Sequence, residues 1–195
     1  MLEELKVHYA NRLQIFVYDT KTLNIAEGAL AYEAKLLIEQ GESFENVAKK
    51  LDDLRRRSEF LFTLSDLDYI IRNKKLSAPA AFVANLFDIK PIMQINQIGE
   101  IVAVEKVRKL EKTLITMGKT VEKFAANQPA FIYLTDTGHH ESTEFFKKIL
   151  ATHFGWDDLP VIRVSTISLA NHGLMGTGIG VFYGELPHIV KALKK

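Results

Sequence analysis

The stretch DLDYIIRNKKLSAPAAFVANLFDIKPIMQINQIGEIVAVEKVR, residues 66–108, carries the pattern that decides the fold. Together with Ser65, its opening SDLDYIIRNKKL reads as a short helix entered through the serine. SAPAAFVANLF is small and apolar. DIKPIMQI is extended, and Pro91 favours a sheet edge because proline has no donor for the ladder. NQIG then turns the chain into EIVAVEKV, so a β-hairpin is expected. Just upstream, SEFLFTL (Ser58 to Leu64) predicts a further strand. Strands separated by helices argue for an α/β protein, and the hairpin argues for a mixed sheet with helices packed on it.

Working outward, LQIFVYDT (Leu13 to Thr20) is an apolar, β-branched and aromatic run ending in turn chemistry, and reads as a buried strand. Ala26, Leu30, Ala34, Leu37 and Ile38 then fall at helical spacing, with Gly41 as the stop. Phe44, Val47, Ala48, Leu51 and Leu54 mark one face of a second helix. Arg55, Arg56 and Arg57 lie near its end, where cations complement the helix dipole. Downstream, Val107, Leu110, Leu114, Met117, Val121 and Phe124 trace one face of a long helix. AFIYLTD reads as a strand, STEFFKKILATHF as a helix begun by a Ser/Thr cap, and PVIRVSTI as a strand. A glycine-rich loop, NHGLMGTG, leads to the strand IGVFYGE, and Pro187 begins a short terminal helix.

The 195 residues suffice to bury a real core. With 47% hydrophobic and 25% charged residues, the composition is that of a globular protein. Net charge is +1, so bulk charge points to neither nucleic acid nor a membrane surface. No apolar run approaches the ~20 residues of a membrane span, and no signal peptide stands at the start. There is no cysteine, which excludes disulfides and thiolate metal sites and fits a cytoplasmic protein.

His172 lies in the predicted loop with Gly173, Gly176, Gly178 and Gly180. Glycines let backbone N–H groups approach an anion, and a histidine beside them can donate to a carboxylate or phosphate. From local sequence alone, a turn histidine packed at a strand entrance is the better reading. GHHE (Gly138 to Glu141) has ligand chemistry for zinc, but adjacent histidines rarely face one ion, and the segment precedes a helix. Glu141 and Ser142 there act as first-turn and cap residues. GTGIG lacks the Walker lysine and precedes a strand, which is a poor fit to nucleotide binding. No nucleophile–base or metal constellation stands out, so a binding protein is expected rather than an enzyme. Three basic clusters, Arg55 to Arg57, Arg72 with Lys74 and Lys75, and Lys106 with Arg108 and Lys109, each read as solvated faces. Together they would meet an acidic partner surface. Ala78, Ala80, Ala81, Phe82, Val83, Leu86 and Phe87 resemble ordinary core, although small residues there would leave width for an acyl chain.

The deciding stretch resembles the DegV family, whose members carry L-x-Y-L-x-x-G-G-R-I, small apolar residues, I-K-P-I-L, a G-E-I hairpin and K-x-R. Leu67, Tyr69, Ile70, Ile89, Lys90, Pro91, Ile92, Gly99, Glu100, Ile101, Lys106 and Arg108 stand in the matching places. VYDTKTLNIAEGALAYEAKLLIEQGESFENV is similar to the family's V-x-D-S-K segment and following helix. NHGLMGTGIGVFY resembles its closing H-x-G-P-G loop and G-V-A-F strand. Asn73 and Lys74 replace the family's glycine pair, Lys75 stands in its arginine's place, and Thr177 stands where proline is usual. The closing loop is one residue longer than the family's.

This resemblance implies one DegV-like domain over residues 1–195, with 1–41 a strand-and-helix remnant of an N-terminal lobe and 42–195 the C-terminal domain. It implies a FakB-type carrier that encloses a long-chain fatty acid and presents its carboxylate to a fatty acid kinase. No cofactor, metal, nucleic acid or membrane insertion is implied. The headgroup would be met by His172, Gly173 and Gly176, and the kinase by Arg72, Lys74 and Lys75. The resemblance places this chain after the family's serine- and threonine-rich headgroup loops. The strand at Leu13 to Thr20 would then expose Leu13, Ile15 and Val17, so a homo-oligomer or a second chain supplying the lobe is expected. The alternative is a divergent interaction or regulatory module without a working pocket.

Overall fold

Helical and β periodicities place most elements where local sequence puts them. The computed structural model describes residues 2–77, 89–174 and 176–193. Helices α1 (Leu2–His8), α2 (Asn24–Glu39) and α3 (Phe44–Arg56) precede strand β1 (Ser58–Leu64). Helix α4 (Asp68–Arg72), strands β2 (Ile92–Ile95) and β3 (Ile101–Glu105), and helix α5 (Leu110–Ala125) follow. Next come β4 (Ala130–Asp136), α6 (His140–Phe154), β5 (Val161–Arg163), α7 (Thr166–His172), β6 (Gly176–Tyr183) and α8 (Val190–Leu193). The small apolar segment proposed as an acyl wall lies outside the described residues.

The strands form a sheet of order β3-β2-β1-β6-β4-β5, antiparallel except for the β4–β5 pair. This is the mixed α/β sheet expected. One face presents Leu61, Leu134, Ile179 and Val181 to Leu114, Met117 and Val121 of α5 and to Phe146 and Leu150 of α6. The other presents Phe131, Tyr133 and Phe182 to Leu30 and Leu37 of α2 and to Leu51 and Leu54 of α3. On that second face, Phe62, Leu64 and Met93 form a separate cluster with Ile70 of α4. Each such side chain contributes roughly 1.5–3 kcal/mol on full burial.

The central strand β6 has glycine at every second position of its first half. A Cβ on Gly176 would lie 2.5 Å from Leu64 Cδ2, and one on Gly178 would lie 2.8 Å from Phe60 Cζ. A Cβ on Gly180 would enter the ring of Tyr133. The bare stripe lets large side chains of β1 and β4 lean over β6 from both sides.

Four sequence readings are corrected. Residues 13–20 form no strand: the segment pairs with no part of the sheet, and Phe16 is stacked on Phe44 at 5.5 Å while the Tyr18 hydroxyl donates to Asp52 at 2.8 Å. Phe16 and Tyr18 thus contact α3 instead of a neighbouring strand, while Leu13 stays 59% exposed and Phe16 42%, so part of the expected apolar exposure remains although the strand does not form. Strand β2 is not an edge, since β1 and β3 flank it; Pro91 precedes its first residue, where a missing N–H costs the ladder nothing. Helices α4 and α6 begin at Asp68 and His140, not at the serines expected to cap them. Finally, α7 occupies residues read partly as strand and partly as loop.

Glu59 on β1 is half-buried, and its carboxylate accepts from Gln94 Nε2 at 2.9 Å. Burial raises its pKa above the ordinary 4.5, against the lowering effect of that hydrogen bond. A raised folded-state pKa contributes stability below the unfolded value, which is lost as pH rises through the folded value. Glu59→Gln is therefore expected to raise the melting temperature at pH 7, with the gain shrinking toward pH 4. Thermal melts at both pH values check this, and an equal gain at both would sink it.

Candidate functional site

A narrow cleft opens on the face of the sheet that carries Phe60 and Phe62. Its floor is those two phenyl rings, stacked at 5.5 Å and inclined by 15°. Leu23 and Asn24 at the start of α2 form one wall, and Val164 with Ser168, Leu169 and His172 of α7 forms another. Thr63, Thr135, Thr137 and Thr177 bring four threonines to it from the adjacent ends of β1, β4 and β6. Thr63 is buried, and its hydroxyl has no hydrogen-bond partner among the described residues. Elsewhere the lining is mostly apolar, which suits a ligand with a hydrocarbon body and a single polar end.

The helix α7 is short, so tertiary contacts hold it in place. Ser165 caps its start by accepting from Ser168 N–H at 3.4 Å. Ser168 Oγ donates to Asn24 Oδ1 at 2.8 Å, tying the helix to the start of α2. At the other end Asn73 Nδ2 donates to the carbonyls of Ala170 (3.1 Å) and Asn171 (3.2 Å), which ties α7 to the segment after α4. Gly173 then turns the chain at φ 90°, a conformation that favours glycine. A side chain there would also press on Tyr69, 3.1 Å from the position of a Cβ.

These constraints place His172 at the last position of α7, at the cleft and 5.9 Å from the Phe62 ring. Burial lowers its pKa below 6.5, and the positive charge of Lys75 lowers it further. The ring is therefore neutral at pH 7, with one N–H to donate. Leu23 and His172 also line a wider groove with Lys74, Lys75, Leu76, Ser77 and Gly99, so cleft and groove meet at those two residues.

The residues expected to meet a headgroup divide accordingly. His172 and Gly173 both line the cleft. Gly173 N–H donates to Leu169 O at 2.8 Å and Gly176 N–H to Thr137 Oγ1 at 3.1 Å, so both donors are already used. Gly176 is the first residue of β6, buried opposite Leu64. Of the three expected docking residues, Lys74 and Lys75 line the groove, while Arg72 is exposed with its guanidinium 5.8 Å from the Tyr69 ring centroid. Lys74 has φ 53°, a left-handed conformation that glycine adopts without the Cβ penalty. This is a physical reason for glycine at that place in the resembling motif.

His139 and His140 of GHHE turn to different partners. His139 Nδ1 pairs with Ser142 Oγ at 2.8 Å, and His140 Nδ1 with Asp136 Oδ2 at 2.8 Å. Sequence reasoning missed Phe60, Phe62, Asn24, Ser168 and the four threonines. The threonines share only a position at strand ends, Phe60 and Phe62 lie within β1, and Asn24 and Ser168 lie on α2 and α7, so no one sequence signal joins them. Among the described residues, no helix is long and apolar enough to cross a membrane.

Comparison with known proteins finds a family match over nearly the whole chain. The model of the DegV family, described as "Uncharacterised protein, DegV family", matches residues 3–184. A DegV domain-containing protein of Clostridium acetobutylicum is 28% identical over 140 residues, covering 71% of this chain and 50% of its own length. A fatty acid binding DegV family protein of Streptococcus agalactiae has a similar structure, with a TM-score of 0.81 at 24% identity. That match covers 94% of this chain and 64% of the other. A DegV family protein from Thermus thermophilus, whose structure is described for its fatty acid binding, gives a TM-score of 0.76 at 20% identity, covering 93% and 66%. The chain thus spans from 50% to 66% of the length of these relatives.

Proposed function

The chain belongs to the DegV family, and on that premise we propose that it binds a long-chain fatty acid, tail in the cleft over Phe62 and against Phe60, carboxylate beside His172 and Lys75. The observation that carries this reading is the junction at His172 of an apolar, phenyl-floored cleft with a groove whose lining holds two lysines, Lys74 and Lys75, and one carboxylate, Glu100. Burial of a methylene is worth ~0.8 kcal/mol, which a narrow apolar cleft can collect along a chain. A carboxylate needs charge-assisted donors, which the His172 N–H and the Lys75 ammonium supply. Similarity to proteins described as fatty acid binding adds support.

Native mass spectrometry of the chain purified from cells tests the reading, backed by displacement of a fluorescent fatty acid with palmitate or oleate. An adduct of fatty-acid mass and saturable displacement are expected. Repeated absence of both in folded protein overturns it.

The finer part of the proposal is that the bound carboxylate is presented to a fatty acid kinase. Arg72 and Lys74, exposed beside the groove, are the docking cations in this reading, and Lys75 serves the headgroup instead. Replacing Arg72 and Lys74 together with glutamine is expected to leave the melting temperature and fatty-acid affinity close to the parent's. Acyl phosphate formation with a supplied kinase is expected to fall, most at low carrier concentration. Unchanged turnover across carrier concentrations would count against docking through these two residues.

A further inference from the structure

We infer that Phe60 is the internal stop of the acyl slot and sets the longest chain it accepts, an inference that rests on the fatty-acid reading above. Among the described residues, Phe60 alone lines both the cleft and a second, equally narrow pocket. That second cavity is polar, with Lys21, Arg55, Glu59, Asn96 and Gln97 in its walls. The phenyl ring is thus a partition with hydrocarbon-compatible space on one side and charged groups on the other. It packs against both apolar clusters of this sheet face, at the seam between them.

Its position has an identifiable cause. Phe60 pairs across the ladder with Gly180, and its ring leans over Gly178, where a Cβ would meet Cζ at 2.8 Å and Thr135 Oγ1 at 2.7 Å. The bare glycine lets the ring lie low against the strand, so the cleft above it stays open toward Phe62. A tail that runs from His172 over Phe62 next meets the Phe60 ring, stacked 5.5 Å beyond that of Phe62. Passing it would bring methyl and methylene groups against Arg55 and Glu59, whose desolvation opposes entry. Chain length is therefore limited by a removable wall, and the limit can be moved in both directions. Phe60→Leu shortens the wall. Gly178→Ala lifts the ring away from the strand and into the slot.

The experiment measures affinities for saturated acids from twelve to twenty carbons, by displacement of a fluorescent fatty acid, for the parent and both variants. Each added methylene that finds apolar space is worth about fourfold in affinity. The ratio of stearate to myristate affinity is expected to rise about tenfold or more in Phe60→Leu and to fall in Gly178→Ala. Circular dichroism melts establish that each variant is folded, and either variant alone reads out the wall. A ratio unchanged or moved the opposite way in a folded variant, with the parent binding fatty acid, overturns the role of Phe60 and leaves the binding reading standing. A parent that binds none of the acids overturns both.

Discussion

Gly180→Ala is expected to destabilise the protein by about 3 kcal/mol, the upper end for forcing extra volume into a packed interior. The position is in the central strand, and the added methyl would enter the ring of Tyr133 on the neighbouring strand. Tyr133 cannot retreat, because it is 1% exposed and packs against Phe131 and Phe182 at ring distances of 6.2 and 5.7 Å. Its burial is also deep enough to raise the pKa of its hydroxyl strongly. For a chain of this size, about 2–4 °C of melting temperature accompanies each kcal/mol, so a drop of roughly 6–12 °C is the expected reading. Tyr133→Leu in the same chain removes the obstructing ring end, and a double-mutant cycle should then show coupling between the two sites. A Gly180→Ala variant that melts within a degree of the parent would sink the close-approach argument.

His172→Ala is expected to weaken fatty-acid binding by about 1–3 kcal/mol, a loss on the order of 5–150-fold. The pH dependence separates a headgroup role from a packing role. In the free protein, burial and then Lys75 hold the His172 pKa below 6.5. A carboxylate bound beside the ring favours its protonated form and raises that pKa, so binding takes up a proton in the window between the two values. Affinity should therefore increase as pH falls through the bound-state value and level off once pH is below the free-state value. His172→Ala should abolish this slope, and Lys75→Gln should shift its onset to higher pH by relieving the repulsion on the imidazolium. Fluorescence displacement from pH 5 to pH 8 provides the measurement. An identical slope in His172→Ala would show that the proton is taken up elsewhere.

Local pattern determined much of the secondary structure of this protein. Ser58–Leu64, Phe44–Arg56 and Ala130–Asp136 coincide with the runs read from residue type, and NQIG does turn β2 back into β3. These elements were legible because their neighbours in sequence supply their period and their stop signals. The ordered match to the DegV motifs was legible for the same reason, since each motif is contiguous. LQIFVYDT shows the limit: an apolar run carries no information on whether a strand or a helix will receive it, and here α3 does. Seven residues at Thr166–His172 hold fewer than two full periods, so α7 becomes a helix through Ser165, Asn24 and Asn73 rather than through an evident pattern.

The site was decided almost wholly by tertiary structure. His172 could be singled out from sequence, but not its company. Phe60, Thr135 and Ser168 lie far apart in the chain and meet only because β6 inserts between β1 and β4 while α7 folds back over the seam. The glycines of GTGIG stand partly in a stretch that reads as a loop, and strand pairing gives them period 2 and a common face. There they make room for Leu64, Phe60 and Tyr133, because side-chain direction in a sheet depends on which strands flank it, and no single segment encodes that.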